Sequence, residues 1–128
     1  MKKLLLLLAL PLVMACSKDK DNNIDNTGKT LQATYTFHPG LVTSDVGYYS
    51  QVDKANRGQS DITTLKNFTD VVKKGDNIKL WMNTTKEPKG NFDIRLTING
   101  KLVSEVSGKD GERNIQLHYT VTDKDFQN

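Results

Sequence analysis

A regular alternation of apolar and polar residues in the second half of the chain constrains its fold more than any other feature. The segment FDIRLTI, residues 92–98, places its apolar side chains on one parity and its polar ones, including Asp93 and Arg95, on the other. Such a period of two is typical of a strand with one buried face. Asn99-Gly100 follows directly and is a strong hairpin signal, because both central positions of a type I′ turn need positive φ. The segment therefore predicts a β-hairpin.

Similar patterns recur along most of the chain. Strands are predicted for residues 31–37, 45–52, 61–68, 77–83, 92–98, 101–106 and 113–121. No segment has a convincing helical period, and turn residues such as Gly75 and Asp76 separate the apolar runs. Short strands at this spacing favour two packed sheets. We predict an all-β fold, an immunoglobulin-like β-sandwich of about seven antiparallel strands, over residues 31–128.

The composition is that of one ordinary globular domain. The 128 residues are 36% apolar, which is enough for a single core. The net charge is +3, but Lys2 and Lys3 belong to the N-terminal leader; without them 16 Lys and Arg residues face 15 Asp and Glu residues. The remaining lysines are scattered among aspartates. Nucleic acid recognition needs a concentrated positive stripe, so we expect no nucleic-acid partner.

The N-terminal residues 1–15, MKKLLLLLALPLVMA, have the three parts of an export signal. Two lysines precede ten apolar residues, Leu4–Val13, and the small Ala15 stands just before Cys16. A helix of that length rises about 15 Å, which is half of the roughly 30 Å hydrocarbon core of a bilayer. Residues 1–15 are therefore predicted to be a signal peptide and not a membrane span.

Cys16 is the single cysteine of the chain, which excludes an internal disulfide and a multi-cysteine zinc site. The stretch VMAC resembles the lipobox of bacterial lipoproteins, in which the thiol is diacylated and the signal is cut before the cysteine. This resemblance implies that Cys16 is the lipid attachment residue. Two or three acyl chains anchor a protein stably where one does not. Ordinary signal cleavage after Ala15 is the alternative.

Residues 16–30, CSKDKDNNIDNTGKT, are predicted to be a flexible tether, because one aliphatic residue among so many polar ones cannot support a core. The stretch CSKDKD resembles the charged surface-export signal of Bacteroidetes lipoproteins. That resemblance implies the outer face of the outer membrane. A merely solvated linker, and with it the periplasmic face, is the alternative.

Two longer stretches, LKNFTDVVKKGDNIKLWMN and FDIRLTINGKLVSEVSGKDG, carry a second resemblance. Residues 48–111 are similar to the small β-sandwich domain of the mycobacterial MmpS family and its bacterial lipoprotein relatives, with a hairpin at Ile98–Lys101. Residues 65–68, LKNF, stand where that family has Leu-Pro-Trp, and the family's cysteine pair is missing. Since MmpS proteins accompany large lipid transporters, the resemblance implies the sandwich and a transporter-accessory role.

Catalytic and metal-binding patterns are weak. His38 and His118, the only histidines, have no Cys, Asp or Glu at ligand spacing in the sequence. The chain has no Ser-centred nucleophile elbow, phosphate loop or dinucleotide fingerprint. KDGE and KKGDN lack the alternating acids of a calcium loop. We therefore expect a protein that is not an enzyme and that uses no metal or cofactor.

Trp81 is the candidate binding residue that the strand pattern singles out. It falls on the parity opposite Leu80 in the segment 77–83 and would be solvated. Exposed aromatic residues are enriched at interfaces. Trp81 with Lys79, Arg95 and Tyr48 is therefore predicted to form a patch for a protein or glycan partner. The alternatives are that the Tyr48 region covers Trp81 or that a β-bulge reverses the register and turns Trp81 inward.

These observations predict a lipid-anchored envelope lipoprotein whose sandwich is a non-catalytic binding or transporter-accessory module. Its membrane contact would be the N-terminal lipid, at the outer membrane and on the cell surface. The alternative function is a structural subunit of a surface assembly such as a fimbria, in which subunits are joined by strand exchange.

Overall fold

Strands joined by short turns make up nearly the whole domain. The computed structural model describes residues 25–84 and 90–127; the leader, Cys16 and most of the predicted tether lie outside the described residues. Within the described ranges no helix is long and apolar enough to cross a bilayer. The elements are β1 (Thr30–His38), β2 (Ser44–Ser50), β3 (Ala55–Ile62), β4 (Lys66–Lys73), β5 (Asn77–Thr84), β6 (Asp93–Ile98), β7 (Lys101–Ser107), β8 (Asn114–Thr120) and a 3₁₀ helix (Asp123–Phe126).

The strands form two antiparallel sheets of four strands each. The first sheet has the order β4-β1-β6-β7, and the second sheet has the order β3-β2-β5-β8. Their inner faces share one apolar core, in which Tyr35 and Phe37 of the first sheet meet Leu80 and Leu117 of the second. All four side chains are at most 2% exposed. The predicted all-β sandwich of antiparallel strands is thus confirmed, with eight strands in the described residues instead of about seven.

The strand predicted over residues 61–68 is wrong, and β3 is the strand that the pattern missed. β3 ends at Ile62 and β4 begins at Lys66, so this segment contains a turn in which Leu65 is 50% exposed. β3 lies at the edge of the second sheet, and Ile62 is its only buried residue. A strand that buries neither face has no apolar alternation to detect.

The predicted alternation in β5 and β6 is confirmed for the apolar residues, but the burial of Asp93 differs from the prediction. Asp93 was expected outside and is only 6% exposed. It does lie on the parity of Arg95, which forms an ion pair with it at 3.1 Å (Nε to Oδ1). His38, its cross-strand neighbour, lies 3.9 Å away (Nδ1 to Oδ2). Arg95 and His38 therefore cover the Asp93 carboxylate. A charged group needs such partners in order to be buried without a large cost in free energy.

The folded domain begins before Leu31. Asn26 is 5% exposed, and its side-chain amide donates to the Asp123 carboxylate at 3.2 Å. Lys29 donates to the Asn26 side-chain oxygen at 3.2 Å and closes a turn with its backbone N–H. Asn26, which lies in the predicted tether, therefore packs on the C-terminal 3₁₀ helix, and Thr30 already belongs to β1.

Candidate functional site

The outer face of the second sheet holds the candidate site. Lys79 and Trp81 point outward from β5. The reason is the strand alternation, since their neighbours Ile78, Leu80 and Met82 point into the core. The register then determines their neighbours. Trp81 is paired across the sheet with Gly47 of β2 on one side and with Gln116 of β8 on the other. Lys79 is paired with His118 of β8.

Trp81 lies across the sheet over Gly47. A Cβ built on Gly47 would overlap ring atoms Cζ2 and Cε2 of Trp81, so the indole occupies the space that a side chain at residue 47 would need. Gly47 is buried under this ring, whereas Trp81 itself is half-buried. Gly47 is in turn paired with Gly58 of β3. Gly47 and Gly58 therefore leave this part of the outer face without side chains, and the indole occupies the space over Gly47.

An open cavity of about 530 Å³ lies beside the indole. This volume is within the range of roughly 300–1,000 Å³ that small-molecule sites have. Its lining consists of Tyr49, Gln51, Asn56, Gly75, Asp76, Asn77, Lys79, Leu80, Trp81, Gln116 and His118. The lining therefore combines two aromatic rings, several amides and a histidine, with Leu80 as its aliphatic residue.

Hydrogen bonds hold part of this lining in place. The Gln51 side-chain amide donates to the Asn77 carbonyl at 2.9 Å, and Thr120 donates to the Asn77 side-chain oxygen at 2.8 Å. The Gln116 side-chain oxygen lies 3.3 Å from Nε2 of His118. Such contacts reduce the conformational freedom that a ligand would otherwise have to remove on binding.

The charged residues of the lining are Lys79 and Asp76, one cation and one anion. The Asp76 carboxylate accepts the Lys73 backbone N–H at 2.8 Å and so closes the β4–β5 turn. Lys79 stands among uncharged side chains on the central strand. The lining of the cavity therefore has no excess of positive or negative charge.

Two of the four predicted patch residues lie together, and two lie elsewhere. Lys79 and Trp81 both line the cavity. Arg95 lies on β6 of the first sheet, where it contacts Asp93 and Glu105. The predicted patch is therefore corrected: Arg95 is not part of it, because the core of the sandwich separates the two outer faces.

Tyr48 also lies outside the patch around Trp81. It is paired with Leu80 on the inner parity of the second sheet. Its ring centroid lies 4.9 Å from that of Tyr35 and 5.2 Å from that of Phe68. Burial raises the pKa of Tyr48, and the negative charge of Asp70 raises it further. Tyr48 therefore packs at the margin of the core and does not cover Trp81 from outside.

Tyr49, Asn56, Gln116 and His118 belong to the site and were not predicted as site residues. Tyr49 follows the same outward parity as Gly47, and the sequence carries that signal. Gln116 and His118 face outward from a strand whose Ile115 and Leu117 are buried. What the sequence does not carry is the pairing of β5 with β8, because the β6–β7 hairpin lies between them in the chain.

The histidines do not converge. His38 lies at the end of β1 in the first sheet, and His118 lies on the outer face of the second sheet. Among residues 25–84 and 90–127 no group of three or more His, Cys, Asp or Glu side chains is placed to hold a metal ion. Trp81 and its surroundings are thus the feature of the described surface with the clearest chemistry for binding.

Comparison of the chain with protein-family models and with curated proteins gave no match.

Proposed function

We propose that this protein is a lipid-anchored envelope lipoprotein whose β-sandwich is a non-catalytic binding module. The observation that carries the proposal is the cavity beside Trp81, which aromatic rings and amide groups of a β-sheet line. Binding sites of this kind join an apolar surface to a few placed polar groups. The ligand site is the outer face of the second sheet.

The packing of the core supports a binding module over a subunit joined by strand exchange. A strand-exchange subunit lacks one of its own strands and exposes an apolar groove. Here Ala33, Tyr35 and Phe37 of β1 are fully buried between β4 and β6 in the described part of the sandwich. The side chains of the chain's own strands fill this core.

The anchor at Cys16 and the cell-surface location rest on the resemblances of residues 1–21 to lipoprotein signals. The corresponding test replaces Cys16 with Ser in the full chain and follows incorporation of labelled palmitate and release from membranes. Loss of label and release from the membrane fraction are expected. Continued labelling of the variant contradicts the lipid anchor.

A second experiment tests the location. If the protein is on the cell surface, protease added to whole cells should remove the domain, and protection from the protease indicates the periplasmic face.

The binding site is tested by photocrosslinking on living cells. The photoreactive residue p-benzoylphenylalanine replaces Gln116 in one variant and Leu102 in the matched control. Both residues are exposed, but Gln116 lines the cavity and Leu102 lies on β7 of the first sheet. Discrete adducts are expected from residue 116 and not from residue 102. Equal adduct patterns from the two positions, or none from residue 116, contradict the proposed site.

A further inference from the structure

We propose that the ligand of this face is a neutral glycan, one sugar ring of which packs against the indole of Trp81. The inference rests on the proposed function and adds the chemical class of the ligand. The composition of the face, the position of the indole and the charge of the cavity support this ligand class.

The outward side chains of the second sheet contain no aliphatic residue in the described strands. Strand alternation and register place on this face Asp45, Gly47, Tyr49, Asn56, Gly58, Asn77, Lys79, Trp81, Asn83, Asn114, Gln116, His118 and Thr120. The centre of a protein–protein interface is enriched in aromatic, Met and Arg residues, whereas the residues named here include neither Met nor Arg. A face of amides around one large aromatic ring fits a ligand that is itself mostly polar.

Sugars have this mixed character. The axial C–H groups of a pyranose form a flat apolar patch, and its hydroxyls point outward around the rim. Trp81 offers an aromatic surface that extends over Gly47. Asn56 and Gln116 lie around the cavity on either side, and a carboxamide can both donate to and accept from neighbouring hydroxyls. Tyr49 adds a second ring with a polar tip.

The charges of the cavity favour a neutral ligand over an acidic one. Lys79 and Asp76 are its charged residues, and Asp76 would repel a nearby carboxylate or sulfate. Recognition of a polyanion needs several cations on one face. Lys79 is the one Lys or Arg residue in the lining of this cavity. A single ammonium group suits hydrogen bonding to hydroxyl oxygens.

The test is affinity electrophoresis of the full-length lipoprotein in a zwitterionic detergent, because detergents with sugar headgroups would compete. The gels contain one polysaccharide each: mixed-linkage β-glucan, glucomannan, arabinoxylan, galactan, α-mannan, starch, or the acidic polygalacturonate. The variants are Trp81→Ala, Trp81→Phe and the control Leu102→Ala, each checked for cooperative thermal unfolding. The control removes an exposed apolar side chain from the other sheet.

Retardation by at least one neutral polysaccharide is expected for the wild type and for Leu102→Ala. Trp81→Ala should bind at least about tenfold more weakly, which is the scale of a lost aromatic stacking contact. Trp81→Phe should bind with an intermediate affinity. No retardation by any neutral polysaccharide, retardation by polygalacturonate alone, or equal retardation of Trp81→Ala overturns the glycan inference.

The crosslinking experiment separates this inference from the proposed function. Adducts from residue 116 to a protein, without retardation by any neutral polysaccharide, overturn the glycan and leave the binding module standing. Absence of both adducts and retardation overturns both.

Discussion

The indole of Trp81 occupies the space above Gly47 that any other residue at position 47 would fill with its own Cβ. The two residues are directly paired across β2 and β5. A glycine inside a strand costs stability through its backbone entropy, and it often marks a close approach of another group. Here the approaching group is the aromatic ring of the candidate site.

Gly47→Ala is expected to displace the indole and to weaken ligand binding without removing any group from the cavity. Overpacking of this kind costs about 1–3 kcal/mol of unfolding free energy. The cost should fall when Trp81 is also replaced with Ala, because the new methyl group then has room. Urea unfolding of the two single variants and the double variant measures this coupling. Strictly additive free energies would show that the two residues do not compete for the same space.

Gly47 has no side chain to contribute to the strand predicted over residues 45–52, and the structure gives it a positive role as the residue beneath the indole. The parity of Trp81 was readable from the alternation with Leu80, so its outward direction was predictable. The position of its indole over Gly47 was not predictable, because the pairing of β2 with β5 joins segments that are separated by β3 and β4. Long-range register is decided by the fit of two faces and leaves little trace in either segment alone.

Asp70 is a buried carboxylate that connects three parts of the domain. It is 6% exposed and accepts the Gln51 backbone N–H at 2.7 Å and the Tyr35 hydroxyl at 3.3 Å. Asp70→Ala should lower the unfolding free energy by on the order of 2–4 kcal/mol, since it leaves two buried donors without an acceptor. Tyr35→Phe removes one donor and should cost about 1 kcal/mol. Denaturant unfolding gives both values, and an Asp70→Ala cost no larger than that of Tyr35→Phe would refute the connection.

Three of the four tyrosines should ionise at unusually alkaline pH. Burial raises the pKa of Tyr35 strongly, with a further contribution from Asp70. Burial also raises the pKa of Tyr48, and burial with the hydrogen bond to Asp125 raises that of Tyr119 to about 12. A spectrophotometric titration of tyrosinate absorbance should therefore show most of the signal appearing above pH 10.

The same shifts predict a loss of stability at high pH. A tyrosine whose folded-state pKa exceeds its unfolded value stabilises the fold below the unfolded value, and that contribution is lost as the pH rises through the folded value. For Tyr119 the window runs from 10 to about 12. Tyr119→Phe should reduce the slope of unfolding free energy against pH in this window. An unchanged slope would argue against the Tyr119–Asp125 hydrogen bond, which measures 2.7 Å.

The contact between the N-terminal turn and the C-terminal 3₁₀ helix should loosen in acid. The hydrogen bond from Lys74 lowers the pKa of Asp123 from its ordinary value of 3.8, and the one from Asn26 lowers it further. The contribution of this carboxylate is therefore present above about pH 4 and is lost as the pH falls through its lowered pKa. The side-chain amide signals of Asn26 in NMR spectra should report this titration with a midpoint below 3.8.

Asp123→Asn should remove that titration, whereas the control Asp110→Asn, in an exposed loop, should leave it unchanged. A midpoint at or above the ordinary aspartate value would mean that Asn26 and Lys74 do not hold the carboxylate.

Local patterns predicted the parts of the fold that bury one face. The alternation in β1, β5, β6 and β8 located the core residues Phe37, Leu80, Leu96 and Leu117. The turn at Asn99-Gly100 was also predictable, and both residues have positive φ. β3 was not, because its exposed polar side chains obey no period.

The candidate site was predictable only in part, for a related reason. Lys79 and Trp81 come from one strand, and their parity is a local property. Arg95 has an equally clear parity, but the sequence does not state which of two sheets receives β6. Outward parity therefore identifies exposed side chains without identifying which outer face they share.

Acrylamide quenching of fluorescence reports directly on whether the indole of Trp81 is open to a ligand, because Trp81 is the only tryptophan of the chain. If the half-buried indole is an open binding surface, the free protein should emit at longer wavelengths than a core tryptophan would and should be accessible to the quencher. A bound neutral polysaccharide should shift the emission to the blue and protect it from the quencher. A blue-shifted, quencher-resistant emission in the free protein would contradict a binding site at Trp81, because Trp81 would then be a core residue.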